Sequence, residues 1–533
     1  MEVVENVAKK QRGNVDRISE LPDFILHTIL SRLDTKEAGR ASVLSKKWYG
    51  AWSSIPVLNF QPGYFKYEFE DDTRTLERFV EFVDKTMQRY ITQKYRITIM
   101  YLTLPKVDEK LGSLVHKCIM IAVQNQVERL EIQITGGNEY RLPEVLFCAK
   151  SLKYLKCGNV GLPYYATIEL ISLEYLILVL QTVDEDMLQE IISFCPLVEL
   201  DITYDNHLNK ISLPLIRKVN KEVEVRGSGT MQSNLQASQL QKFVYCSCCR
   251  DSPWPWNMNV VALKNLRKME ICWASISDDI VSVLASGLTA LESLVLDSCS
   301  MLQFINISSN SLKELQIINY LDDLKNVTID APNLREFLFK CKVETSLSLI
   351  KVPDHCNAQF FPLVTASITN FWFVKLKKFL TKTNLFKSLE LNLACTRLIV
   401  AEVELLRNLV IGQPYKLREL KLRESTAWDS TKSSLMTFLD GLFWCCHPDV
   451  LSITTKLEKS AAQVFYVAWW YGTREEKGLV GKRNPVAQSS PVLNNLCSRF
   501  SPPLLHHIYL HYSAFMVKYL WWKIVVPVYY ECS

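Results

Sequence analysis

The sequence predicts an α/β protein in which a short helical unit at the N-terminus is followed by a long solenoid with parallel strands. Apolar residues recur at helical spacing between residues 16 and 60. A second apolar pattern, with a period of roughly 20–29 residues, runs from residue 127 to residue 453. At 533 residues the chain is also too long for one ordinary compact core, which favours several domains or a repeat array.

The composition is that of a folded protein with little net charge. Hydrophobic residues make up 48% of the chain and charged residues 22%, close to the values of a typical globular protein. The 61 Lys and Arg residues against 56 Asp and Glu residues leave a formal net charge of +5. This excess is far below that of a nucleic-acid-binding protein, so no nucleic-acid partner is expected.

The cysteines and the apolar stretches indicate the compartment. The N-terminus has no apolar signal-peptide core, and the 16 Cys residues are scattered along the chain. Free thiols in a reducing compartment are therefore expected, which means the cytoplasm, the nucleus or both. The most membrane-like stretch, residues 504–530, is interrupted by three His and two Lys residues, so no membrane-spanning helix is expected.

Residues 16–60 are predicted to form three short helices. Pro22 suits the first turn of a helix, and Ile25, Ile29 and Leu33 recur every four residues after it, which gives an apolar stripe of about three turns. Asp34, three residues before Glu37, indicates the cap of a second helix. The expected inner side of that helix comprises four apolar residues, Ala38, Ala41, Val43 and Leu44. Trp48 and Trp52 would start or extend a third helix.

From about residue 127, segments of the form apolar-x-x-apolar-x-apolar recur. Their first residues are Val127, Leu152, Leu173, Leu197, Leu240, Leu266, Leu291, Leu312, Leu334, Phe386 and Leu417. The spacing, with two longer gaps that each fit two units, is the leucine-rich-repeat signature, although a regular Asn is missing. In each segment the last two apolar side chains would point into the solenoid core. The alternative is a set of unrelated amphipathic strands in a mixed domain, which accounts less well for the near-regular spacing.

Residues 16–60 resemble an F-box. The match rests on Leu21-Pro22, on the Ile25, Ile29 and Leu33 series, and on residues 41–48 (ASVLSKKW). The chain to about residue 453 is similar to the plant family that joins an F-box to degenerate leucine-rich repeats. Residues 371–389 and 444–453 strengthen this resemblance.

The resemblance implies a non-catalytic substrate receptor of an SCF-type ubiquitin ligase, without a cofactor. In that family the F-box binds a Skp-type adaptor, which in turn binds a cullin scaffold, and the repeats bind a target protein. The adaptor-binding residues implied by the motif are Leu21, Pro22, Ile25, Ile29, Leu33, Val43, Leu44 and Trp48. Which of these face the adaptor and which pack in the domain's own core stays open.

The expected domain organisation has four parts. Residues 16–60 form the F-box domain, and residues 61–126 form a linker and the N-terminal cap of the solenoid. Residues 127–453 form degenerate repeats that end in an FBD-like motif. Residues 454–533 form a tail that departs from the family pattern and shows no continuation of the repeats.

No residue pattern predicts catalysis. The Cys246–Cys249 segment contains a C-x-x-C spacing, but a structural zinc site needs four ligands and no second pair follows. Cys445 and Cys446 are expected to pack in the core. The segment around residues 478–482 departs from the phosphate-loop motif at two positions, because Glu476 stands in place of Gly and Arg483 in place of Ser or Thr. The basic residues at 375, 377 and 378 are interpreted as a solvated face.

Three alternatives to a ligase receptor remain at this point. The chain could be an F-box/leucine-rich-repeat scaffold that acts outside any ligase. It could be an enzyme with a site in the unassigned tail, which converging titratable groups in a pocket would indicate. It could also be a small-molecule receptor, which polar groups around a cavity in the solenoid would indicate.

Overall fold

The computed structural model describes residues 21–33, 35–65, 72–136, 139–182, 184–204, 219, 221–227, 233–235, 237–247, 252–320, 323–363, 368–392, 399–400, 405–406, 409, 412–423, 432–454 and 507–511. The chain divides into two compact units, residues 1–269 and residues 270–533.

The first unit begins with three short helices, α1 (Asp23–Leu30), α2 (Thr35–Ala41) and α3 (Lys46–Ser53). The predicted three turns of α1 are wrong, because α1 ends at Leu30 and Leu33 lies beyond its end. Both the backbone N–H and the hydroxyl of Ser31 donate to the carbonyl of His27, at 2.8 and 2.6 Å. A hydroxyl that competes for a helix carbonyl in this way favours termination of the helix.

The predicted inner side of α2 is wrong in its second half. Ala38 is buried and Ala41 is half-buried, but Val43 and Leu44 are exposed. The reason is that α2 ends at Ala41 and the next residues form a turn, in which the Val43 N–H donates to the carbonyl of Arg40 at 3.3 Å. The proposed cap at Asp34 lies outside the described residues.

A parallel sheet follows in the first unit. Its strands, in hydrogen-bonded order, are β1 (Val57–Phe60), β2 (Ile99–Leu104), β3 (Arg129–Ile134), β5 (Tyr154–Gly161), β6 (Tyr175–Thr182), β7 (Glu199–Tyr204), β8 (Glu222–Arg226) and β10 (Lys242–Cys246). The short strands are β4 (Tyr140–Arg141), β9 (Ser233–Leu235), β11 (Ser252–Pro253) and β12 (Trp256–Met258). The helices between strands are α4 (Asp72–Gln93), α5 (Glu109–Gln124) and α6 (Glu185–Phe194), with 3-10 turns at Pro62–Phe65 and Glu144–Cys148.

Among the described residues, the second unit contains three parallel sheets, the smallest of which joins only β22 (Ile368–Thr369) and β24 (Ile399–Val400). The largest runs through β15 (Ser293–Asp297), β17 (Glu314–Ile318), β19 (Glu336–Cys341), β21 (Asn357–Pro362), β23 (Phe386–Asn392), β25 (Tyr415–Arg423), β26 (Cys446–Thr454) and β27 (His507–His511). The three-stranded sheet comprises β16 (Phe304–Ser308), β18 (Asn326–Asp330) and β20 (Ser346–Leu349). The remaining elements are β13 (Lys268–Cys272) at the division, β14 (Ala274–Ser275), α7 (Asp278–Gly287), α8 (Asn370–Thr383) and α9 (Lys432–Cys445).

The repeat prediction is confirmed. All three apolar residues of each of the eleven predicted segments are at most 1% exposed. The two long gaps are each filled by one further parallel strand, β8 in the first unit and β21 in the second. Stacked units bury in this way an apolar face that one unit cannot hide alone.

Side-chain hydrogen bonds join successive repeats even though a regular Asn is missing. The amide of Asn265 donates to the carbonyl of Ser238 at 2.8 Å, and the amide of Asn333 donates to the carbonyl of Asn310 at 2.7 Å. The hydroxyl of Ser151 donates to the carbonyl of Val127 at 3.0 Å. In each case the donor directly precedes the first apolar residue of a repeat, so polar residues at this position satisfy a carbonyl of the preceding repeat.

The parallel strands begin before residue 127 and reappear after residue 454. Strands β1 and β2 precede the first predicted repeat; β1 pairs with β2, and β2 pairs with β3. At the other end, β27 pairs in parallel with β26, so the expectation of no continuation in the tail is wrong for these five residues. The rest of residues 455–533 lies outside the described residues.

Asp278 offers a test of how α7 supports the three-stranded sheet. Its carboxylate accepts hydrogen bonds from the backbone N–H groups of Gln303 and Phe304, both at 3.0 Å. Asp278→Ala should destabilise the second unit by roughly 2 kcal/mol, because two donors lose their acceptor. We expect a lower thermal midpoint and faster amide exchange at these two residues. Asp279→Ala, one position on in the same first turn, is the matched control, and an equal effect of both changes would contradict the assignment.

Candidate functional site

The structure sorts the eight motif residues of the helical unit by exposure. Pro22, Leu33, Val43 and Leu44 are exposed, and the exposed fraction of Val43 is 83%. The half-buried ones are Leu21, Ile25 and Ile29, whereas Trp48 is buried. The fold therefore leaves part of this apolar set in solvent. Trp48 shares the buried interior with residues outside the set, namely Leu26, Leu30, Ala38 and Ala51.

Two further exposed aromatic residues belong to the same unit and were missed by the sequence reasoning. Phe24 on α1 is 67% exposed and Tyr49 on α3 is also exposed. Each lies next to a helix position that matches the motif, but on the outward side. The helical phase could have found Phe24, because it lies about 200° around the helix from the buried Leu26. Large exposed apolar side chains in so small a unit indicate an interaction surface.

Helix α4 anchors the helical unit through aromatic residues. The Arg89 guanidinium lies over the Trp52 ring, with 4.4 Å between its carbon and the ring centroid. The buried hydroxyl of Tyr90 donates to the carbonyl of Ile55, and burial raises the pKa of this phenol. The His27 ring and the Ser54 hydroxyl are 3.2 Å apart. The Arg89 and Tyr90 contacts hold α3 and the chain after it against α4, whereas the His27–Ser54 contact joins α1 to the end of α3.

A second surface lies on the outward face of the sheet in the first unit. Six apolar or aromatic side chains point to this face instead of into the core, and we call them the apolar stripe: Val57, Ile99, Tyr101, Tyr154, Tyr175 and Ile177. The rings of Tyr154 and Tyr175 are 5.9 Å apart at directly paired positions of β5 and β6. The outward residues of a sheet that faces water are usually polar, so this stripe is unusual.

Charged residues lie within the apolar stripe: Arg129 in the row of Ile99 and Tyr154, and Glu131 and Lys156 in the row of Tyr101 and Ile177. Arg129 occupies the position on β3 between Ile99 and Tyr154, and its guanidinium carbon is 3.9 Å from the Tyr154 ring centroid. Glu131 on the same strand pairs with it at 2.5 Å. Since a flat guanidinium stacks well on an aromatic ring, Arg129 extends the flat surface and is itself neutralised.

Four carboxylates continue the face beyond the apolar stripe, and we call them the acidic ladder: Glu199 and Asp201 on β7, Glu222 and Glu224 on β8. The register places Glu199 opposite Glu222 and Asp201 opposite Glu224. Each glutamate has a cation beside it: Lys221 lies 2.9 Å from Glu199, Lys242 pairs with Glu222, and Arg226 pairs with Glu224.

Asp201 differs from the other three members of the acidic ladder. Its Oδ1 is buried and has no hydrogen-bond partner among the described residues. Burial, and then the charge of Glu224, raises the pKa of Asp201 from 3.8 to about 6. Like charges placed directly opposite each other on neighbouring strands destabilise a sheet. The acidic ladder therefore carries a local electrostatic cost that the folded chain only partly offsets.

Packing accounts for those cysteine and lysine residues of the sequence analysis that lie within the described ranges. Cys445 and Cys446 are buried, as expected, and burial raises the pKa of the Cys446 thiol to about 12. Lys377 is not solvated, contrary to the expectation. It is 3% exposed, its Nζ donates to the carbonyl of Gly412 at 3.0 Å, and burial lowers its pKa. Cys248 and Cys249 lie outside the described residues.

Within the described ranges, no three His, Cys, Asp or Glu residues are grouped so that they could hold a metal ion. The same ranges contain no helix that is both long and apolar enough to cross a membrane. Residues 504–530, the most apolar stretch, are described only at 507–511.

Comparisons with known proteins match two stretches of the chain to family models. Residues 18–60 match the sequence model of the F-box domain. Residues 213–354 match the model described as the LRR repeats of FBD-associated F-box protein At5g56370.

Three curated relatives from Arabidopsis thaliana show the extent of the similarity. FBD-associated F-box protein At4g13985 is 30% identical over 213 residues, which are 38% of this chain and 45% of the relative. F-box/LRR-repeat protein At5g02910 is 29% identical over 216 residues, 37% of this chain and 43% of the relative. F-box protein At3g62430 is 25% identical over 354 residues, 60% of this chain and 77% of the relative. The chain spans about half the length of the first two relatives.

Asp201 should make the stability of the fold depend on pH. Its raised pKa means that the folded state disfavours the ionised carboxylate. Asp201 therefore destabilises the fold fully above about pH 6, and this destabilisation is relieved as the pH falls toward 3.8. Asp201→Asn should therefore raise the thermal midpoint near pH 8, and the gain should shrink near pH 5. Asp279→Asn on α7 is the matched control. A gain that is equal at both pH values, or a loss near pH 8, would contradict this assignment.

Proposed function

We propose that this chain, which carries an F-box domain ahead of leucine-rich repeats and is related to plant F-box/LRR-repeat proteins, is a substrate receptor of an SCF-type ubiquitin ligase. The F-box would bind a Skp-type adaptor and, through it, a cullin, while the repeats would bind a target protein. The chain would supply no catalytic residue, and it would act in the cytoplasm, the nucleus or both.

The observation that carries this proposal is the exposed apolar turn between α2 and α3, within residues that match the F-box domain. Val43 and Leu44 are 83% and 67% exposed, although both are aliphatic and adjacent. Apolar area gains roughly 25 cal/mol per Å² when it leaves water, and a few large anchors dominate most protein interfaces. A partner that covers this turn would therefore gain affinity at positions where the free chain gains no stability.

The repeats support the other half of the proposal. Their stacked strands present outward side chains from successive units in fixed register, which is the kind of extended surface that repeat proteins use for binding. A receptor that holds adaptor and target at once raises the local concentration of target lysines near the ligase. Proximity would then supply the rate enhancement without a reactive group in this chain.

The turn between α2 and α3 is the place to test adaptor binding. Val43→Asp combined with Leu44→Asp should weaken binding to a purified Skp-type adaptor by at least about tenfold, because two anchors are replaced by charges that must be desolvated. Titration calorimetry on the full chain measures the effect, and circular dichroism checks the fold.

The matched control is Val261→Asp, since Val261 is also an aliphatic side chain and is 81% exposed. It should leave the adaptor affinity unchanged. Undiminished binding by the double variant would remove these two residues from the interface. Failure of the unaltered chain to bind any Skp-type adaptor at micromolar concentration would contradict the ligase proposal and favour the scaffold alternative.

A further inference from the structure

We infer that the outward sheet face of the first unit, from the apolar stripe to the acidic ladder, binds a basic extended segment of a partner protein. Apolar side chains of the segment would lie on the rings of Tyr154 and Tyr175, and a lysine or arginine would lie over Asp201 and Glu224. The inference rests on the proposed function, because such a segment would be the part of the target that the repeats recognise.

The apolar stripe explains why a partner would bind here. Tyr175 and Ile177 alternate along β6 with the buried Leu176 and Leu178, so the strand is apolar on both of its faces. Nothing in the packing of the core requires this, since only the inward residues fill the solenoid. Tyrosine rings offer large contact areas and lose little conformational entropy on binding, which suits them to binding surfaces.

The acidic ladder determines the charge of the partner. Glu199, Glu222 and Glu224 have local cations, and the charges of Arg226 and Lys156 also act on Asp201. The buried Oδ1 of Asp201 nevertheless has no hydrogen-bond partner among the described residues, and Asp201 lies opposite Glu224 across the strands. A guanidinium or ammonium group from outside would neutralise this carboxylate and reduce its repulsion with Glu224. An acidic segment or a nucleic acid would add like charge at the same place, so charge complementarity favours a basic one.

The register also gives the length of the segment. Neighbouring strands lie about 4.8 Å apart, so the face from Tyr101 on β2 to Glu224 on β8 is roughly 24 Å wide. An extended chain covers about 3.3 Å per residue, and about seven residues would cross the whole face. Because Tyr175 lies on the strand next to the acidic ladder, an apolar residue and a basic residue should lie two positions apart in the segment, where the side chains of an extended chain share a face.

The test uses the full chain and two defined probes. One is a fluorescein-labelled peptide of about eight residues with Leu in its first half and Lys in its second half, and in the other Glu replaces each Lys. Fluorescence anisotropy at low salt should show that the Lys peptide binds at least about tenfold more tightly, and added salt should reduce the difference. Tyr175→Ala should weaken binding of the Lys peptide by about tenfold, since it removes a central aromatic anchor.

Charge reversal separates this face from general attraction to a protein surface. Asp201→Lys combined with Glu224→Lys should abolish or invert the preference between the two peptides, and Asp201→Asn with Glu224→Gln should reduce it with less strain on the fold. Glu314→Lys, on the outward face of β17 in the second unit, is the control and should leave the preference unchanged. Equal binding of the two peptides, binding of neither, or a preference that survives charge reversal would overturn the inference.

Adaptor binding measured on the same variants distinguishes this inference from the proposed function. The sheet-face variants should retain full affinity for the Skp-type adaptor, and the Val43→Asp, Leu44→Asp variant should retain its affinity for the Lys peptide. Loss of adaptor binding by the unaltered chain, with peptide selectivity intact, would contradict the ligase role alone. Normal adaptor binding without peptide selectivity would contradict the sheet-face assignment alone.

Discussion

The structure depends on one constraint, which is that every repeat places the same side of its strand inward against its neighbours. Side chains alternate along a strand, so a register shift of one residue would exchange the two faces. On β7 such a shift would bring Asp201 into the core and expel Leu200 and Ile202, each at most 1% exposed. The burial of the apolar positions therefore fixes the register, and the register in turn determines which residues of different repeats meet on the outward face.

Because the buried apolar positions fix the register, they also explain what could be predicted from the sequence. The repeat segments were predictable because each carries its own three apolar positions, and all of them are buried. The start of the series was missed although its signal was present. Residues 55, 58 and 60, and residues 97, 100 and 102, have the same apolar spacing as the later repeats and are also buried. The first set lies within residues 16–60, which were interpreted as helical from their spacing. The second lies within residues 61–126, which were interpreted as a linker and N-terminal cap.

Other features could not be predicted because they depend on tertiary packing. Val43 and Leu44 are apolar residues at the end of a helix, and only the turn that follows Ala41 decides that they point outward. Lys377 is buried because the Gly412 carbonyl and the Trp444 ring receive its ammonium group, partners that are 35 and 67 positions away. The acidic ladder depends likewise on the register between two repeats. In the sequence, the four carboxylates of the acidic ladder occupy ordinary alternating polar positions.

The two candidate surfaces combine exposed residues with an adjoining rigid support. The helical unit rests on α4 through Trp52 and Arg89, which leaves its turn free to meet a partner. The sheet face rests on fully buried leucines, and its unfavourable carboxylate pair is retained in a strand that is otherwise well packed. Departures from local stability of this kind are expected where a surface serves recognition.

The buried thiols have a further consequence for experiment. Cys118 and Cys195 lie in the first unit, and Cys356 and Cys446 lie in the second; burial raises their pKa values to about 12, 12, 11 and 12 respectively. Alkylating reagents attack the thiolate, so these sulfurs react only when the surrounding repeat opens to solvent. The native chain thus carries its own reporters along the solenoid, and maleimide labelling resolved by mass spectrometry would give the opening free energy repeat by repeat without an introduced probe.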